Sequence, residues 1–87
     1  MAEVWSWRGL SFFVRCDLGR ATLYREQDGG DERPVSREEA AGEIVRAANY
    51  GLVHRLGASP MTRNEALGLI DDALAEARAE YAARFRP

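Results

Sequence analysis

Between Val4 and Glu26 apolar residues recur at every second position, and from Ser36 onward they recur at every third or fourth. A period of two belongs to a strand with one buried face, and a period near 3.6 to an amphipathic helix. A chain that switches once from the first to the second folds as strands, then helices. The expected class is α+β, a three-stranded antiparallel sheet followed by two antiparallel helices in the order βββαα.

The first part, residues 1–26, reads as a β-meander. Val4-Trp5-Ser6-Trp7 is a short strand and Arg8-Gly9-Leu10 a turn. In Ser11–Cys16, Phe12, Val14 and Cys16 share one face, and Phe13 and Arg15 the other. Asp17-Leu18-Gly19 is expected to close a three-residue hairpin loop, with Gly19 in the left-handed region. In Ala21–Arg25, Ala21 and Leu23 face the core, and Thr22 and Tyr24 face outward. Residues 27–35 are polar, glycine-containing and aperiodic, which predicts a surface loop.

Two helix starts follow, written almost letter for letter alike. Pro34-Val35-Ser36-Arg37-Glu38-Glu39-Ala40 and Pro60-Met61-Thr62-Arg63-Asn64-Glu65-Ala66 each hold a capping box and a staple residue. The first opens a helix over 36–57, with apolar positions at Ala41, Ile44, Val45, Ala48, Leu52 and Leu56 and Gly57 as the residue that closes it. Gly42 and Gly51 each weaken it by about 1 kcal/mol relative to Ala, and Asn49-Tyr50-Gly51 is its weak point. The second opens a helix over 61–86, with an apolar stripe at Leu67, Ile70, Leu74, Ala77, Tyr81 and Phe85. The short link between them makes the helices antiparallel neighbours.

With 87 residues the chain is expected to form one domain, and at 46% apolar and 30% charged residues it is a folding rather than a disordered composition. Charge is unevenly spread. Residues 1–25 hold four arginines against two acids, and residues 26–87 hold eight against twelve. Cys16 is alone, which excludes an internal disulfide and suits a reducing compartment. No stretch is apolar enough for a signal peptide or a membrane span, so a cytoplasmic place is expected.

Catalytic chemistry finds little support. His54 has no Cys, Asp or Glu three or four residues away, and no metal site follows from it. Glu38-Glu39 and Asp71-Asp72 are adjacent in helices, where neighbours point about 100° apart, so neither pair converges. Phosphate-loop, dinucleotide and zinc-protease motifs are absent. Neither an enzyme nor a cofactor is expected.

Two surfaces remain as candidates. Glu65, Asp72, Glu76 and Glu80 form an acidic stripe on the second helix, with the last three at four-residue spacing. Like charges so placed destabilise a helix slightly, and they suit a protein partner with a basic surface. The alternative is a nucleic-acid contact through the outer sheet face, where Phe13, Arg15, Arg20, Thr22 and Tyr24 interleave aromatic rings with arginine. Trp5 and Trp7 share one face of the first strand, as core or as the interface of a small homodimeric subunit; a monomer is equally compatible with the sequence.

The start at Met1, the length, the lack of a catalytic motif and the local acidity together resemble the small phage-encoded inhibitors of bacterial defence, of the anti-CRISPR type. That resemblance implies a protein that docks on a CRISPR effector subunit and blocks target-DNA recognition by placing carboxylates where phosphates would lie.

Overall fold

The computed structural model describes residues 2–50 and 59–85. Strands β1 (Ala2–Trp7), β2 (Leu10–Asp17), β3 (Arg20–Glu26) and β4 (Glu32–Pro34) precede helices α1 (Arg37–Ala48) and α2 (Arg63–Arg84). The strands form one antiparallel sheet in the order β1-β2-β3-β4. The α+β class and the meander thus stand as expected, with four strands rather than three.

The added strand β4 lies inside the stretch expected to be a loop. Glu32, Arg33 and Pro34 are all exposed and show no apolar alternation. Their pairing with β3 is held by backbone geometry: Gly29 and Gly30 at φ 102° and 84° turn the chain. The Val35 amide then donates to the Leu23 carbonyl. A strand this short that ends on proline also blunts the sheet edge against further pairing.

Both remaining hairpins close through two residues. Trp7 pairs with Leu10 and Asp17 with Arg20. Arg8-Gly9 and Leu18-Gly19 therefore fill both central positions, at φ 42°, 80° and 51°, 80°. Such turns match the right-handed strand twist, which corrects the expected three-residue loop at Asp17–Gly19. The cost falls on Leu18, a bulky residue in the left-handed region that is 88% exposed.

The core lies between one sheet face and both helices. Phe12, Val14 and Leu23 meet Ala40, Ala41 and Ile44 of α1 and Ala66, Ile70, Ala73 and Ala77 of α2. A register shift between Glu3 and Trp5 leaves Val4 as an extra residue, and both Val4 and Trp5 pack against this core. The buried line of α2 is thus centred on alanines, with Leu67, Leu74 and Tyr81 half-buried at its sides and Phe85 67% exposed. Small side chains let the helix axis approach the sheet, so the expected stripe is rotated toward Ala66 and Ala73.

Both helix starts lie where the caps place them. At α2 the box is complete: the Glu65 amide donates to Thr62 Oγ1 (3.1 Å) and the Thr62 amide to Glu65 Oε1 (3.4 Å). At α1 only the forward half forms, with the Glu39 amide donating to Ser36 Oγ (3.1 Å). The Glu39 carboxylate instead meets Arg33 at 3.3 Å. Helix α1, expected to reach residue 57, closes at Ala48 with Asn49 as its cap. Asn49 is bonded through its side chain to Met61, across from the start of α2. Helix α2 ends at Arg84. The readings of Gly51, Leu52, His54, Leu56 and Gly57 lie outside the described residues.

Candidate functional site

The acidic stripe lies on the flank of α2 turned away from the core, and Glu65, Asp72, Glu76 and Glu80 are all exposed. The four are not equivalent. Glu65 is engaged by its own helix cap, where it accepts from both the amide and the hydroxyl of Thr62. Asp72, Glu76 and Glu80 form no ion pair among the described residues. Glu32, Glu38, Glu39, Glu43 and Asp71 each meet an arginine. Arg84 stands one turn beyond Glu80 without pairing to it.

Asp71, next to this row, has a structural role that spacing alone does not reveal. Arg37 Nη2 and Nε reach its two carboxylate oxygens at 2.7 and 2.9 Å. This fork ties the first turn of α1 to the third turn of α2. It depends on the antiparallel register of two helices, so no pattern within one helix predicts it. The Arg37 hydrogen bond holds the Asp71 carboxyl below its ordinary value of 3.8. Between that lowered value and 3.8 the unfolded chain binds the extra proton, so stability rises with pH there. The contribution is therefore complete above 3.8 and is lost as pH falls through the folded-state value. In an acid titration followed by circular dichroism, Asp71→Asn is expected to lose stability less steeply than the parent over this window. Equal slopes would remove the fork as a stabilising contact. The pair lies at the surface with both side chains about half exposed, which keeps the effect small and salt-sensitive.

Across the sheet, the outer face assembles the second candidate set. Phe13 and Tyr24 stack at 5.7 Å and 11°, and the Arg15 guanidinium lies 5.1 and 5.2 Å from their ring centres. Arg15 Nη2 also meets Glu32 at 2.9 Å. Phe13 is only 5% exposed, so its ring is covered by these neighbours. The strand register puts Glu3, Asp17, Glu26 and Glu32 on this same face, with Arg15 and Arg20. Four carboxylates against two guanidiniums make the face acidic, although the N-terminal segment as a whole is basic. Two other arginines of that segment go elsewhere. Arg25 points to the helix side, 2.8 Å from Glu43. That contact is off the hydrogen-bond direction, which leaves both atoms without an aligned partner. Arg8 lies over Trp7 and the exposed Tyr50, at 4.8 and 5.8 Å.

Trp5 lies 6.4 Å from Phe12 and belongs to the core boundary, and Trp7 lies 5.7 Å from Tyr50. Cys16 is half-buried. It helps line a hollow of about 340 Å³ between the β2–β3 turn and the last turns of α2. Among the described residues no three His, Cys, Asp or Glu side chains converge to hold a metal ion. None of the described helices is long and apolar enough to cross a membrane.

No known protein family, curated protein or solved structure matches this chain.

Proposed function

We propose that this protein is a non-enzymatic binding module that docks the acidic flank of α2 on a basic, nucleic-acid-binding surface of a protein partner. A CRISPR effector subunit has the required character. The observation that carries this reading is the row Asp72, Glu76 and Glu80. These three exposed carboxylates are spaced about 6 Å apart along one helix, with no arginine among the described residues to neutralise them. Holding like charges in that row costs the helix a few tenths of a kcal/mol per pair. A basic partner would relieve that repulsion on contact. Direct nucleic-acid binding through the sheet is the weaker reading, because its face carries more carboxylates than guanidiniums and its Phe13 ring is covered.

The test is capture of a partner from phage-infected host cells, followed by affinity measurements over a salt series. The Asp72→Ala/Glu76→Ala/Glu80→Ala triple is expected to fold about as stably as the parent monomer, since the repulsions it relieves along the row offset the weak attraction it loses between Glu80 and Arg84. Its affinity should fall about 3- to 150-fold, as three solvated ion pairs at roughly 0.2–1 kcal/mol each imply. Binding by the parent should weaken as salt rises. A triple that binds normally would leave the row as plain solvated surface.

A further inference from the structure

We infer that the hollow at the open end of α2 is the contact through which two copies of this chain pair about a twofold axis. Its walls are Val14, Cys16, Ala77, Tyr81 and Phe85, and at about 340 Å³ it holds on the order of ten waters. At its mouth stands Leu18, 88% exposed. A twofold contact requires the same patch to supply both a projection and a recess, and here they lie side by side. Leu18 of each copy can enter the hollow of the other, against Tyr81 and Phe85, whose rings lie 4.5 Å apart.

Charge selects this occupant over a foreign one. The rim carries Asp17 and Glu80, and also Arg84. A uniformly basic segment would meet Arg84, and a uniformly acidic one would meet both carboxylates. A second copy offers both signs at once, since its own patch carries Glu80 and Arg84. Glu80 and Arg84 stand one turn apart on α2 and do not pair within the chain. A twofold axis passing between them reverses the second helix and places Glu80 of each copy against Arg84 of the other, twice over. Leu18 itself points the same way. It occupies a left-handed turn position that favours Asn, Asp or Gly, and it makes no core contact in its own chain that would offset that strain. The contact uses only the last member of the acidic row, so Asp72 and Glu76 stay free in each copy, and the pairing stands whether or not that row binds a partner.

Sedimentation equilibrium of the full chain over a concentration series decides the matter. The expected mass is twice 9.7 kDa at the upper end, falling to the monomer on dilution. Leu18→Asn should be monomeric while unfolding at a higher temperature than the parent monomer, because Asn suits the turn. Glu80→Arg should also be monomeric, and the exchange Glu80→Arg/Arg84→Glu should restore the dimer. A parent that stays monomeric up to about 1 mM overturns the proposal and leaves the hollow to a foreign side chain. A dimer that survives both Leu18→Asn and Glu80→Arg also overturns it, since that dimer must use another face.

Discussion

Phe12→Ala is expected to lower folding stability by about 3–5 kcal/mol, and Phe13→Ala by about 2 kcal/mol. The two residues are neighbours of the same type, and both are nearly inaccessible, at 0% and 5% exposure. Only their faces differ. Phe12 lies at the centre of the sheet–helix core, against Trp5 and enclosed by residues of both helices. Truncation there leaves a cavity that rigid backbone on two sides cannot close, so the lost transfer energy and the cavity cost add. Phe13 lies on the open face under Tyr24 and Arg15, which are themselves partly solvated and attached to one strand each. They can move into the vacated space. An 87-residue chain has a total stability of about 4–13 kcal/mol, so Phe12→Ala should leave the fold marginal and Phe13→Ala should leave it intact. Urea unfolding of both variants, compared at equal m-value, measures the difference. Equal losses would mean that the outer sheet face is as firmly covered in solution as the inner one.

That contrast also marks how far the sequence speaks for the fold. The face assignments of Phe12, Val14, Leu23 and Tyr24 follow from alternation alone, because side chains in a strand have no other period available. The helix starts at Ser36 and Thr62 follow from caps, whose chemistry is local. What was not legible depends on groups far apart in sequence. Strand β4 has no pattern of its own and exists because β3 offers an edge to a chain already turned by Gly29 and Gly30. The Arg37–Asp71 fork needs the antiparallel register of two helices. For the candidate site, spacing foretold that Asp72, Glu76 and Glu80 would share an exposed flank. The capping box read at Thr62 and Glu65 also foretold that Glu65 would be engaged by its own cap, which sets it apart from the other three. Spacing did not show that the sheet face would be net acidic, since that needed the pairing of all four strands to bring Glu3, Asp17, Glu26 and Glu32 onto the face of Arg15 and Arg20. The end of α1 is intermediate. Asn49-Tyr50-Gly51 read as a weak point within a longer helix, yet the residue that ends α1 does so through a bond to Met61, twelve positions on.

That bond supports the second large effect, expected at Asn49. Its side-chain amide pairs with both main-chain groups of one residue of the inter-helix link: Oδ1 accepts from the Met61 amide at 2.7 Å, and Nδ2 donates to the Met61 carbonyl at 3.0 Å. Met61 packs against the core, so its backbone groups are poorly placed to turn to water. Asn49→Ala removes both bonds and leaves a partly buried donor and acceptor unmatched, at a cost of about 2–3 kcal/mol. Asn49→Asp separates the two halves of the clamp. The carboxylate still accepts from the Met61 amide, but it faces the Met61 carbonyl with a second acceptor. Only the protonated acid can donate there, so the new carboxyl should titrate above its usual range in the folded state. The folded chain then binds the proton first, and stability relative to the parent falls as pH rises through the carboxylate range. Asn49→Asp should therefore approach the parent in acid and resemble Asn49→Ala at neutral pH. If Asn49→Asp were equally stable across that range, or Asn49→Ala cost only a few tenths of a kcal/mol, the clamp would not be what joins α1 to α2.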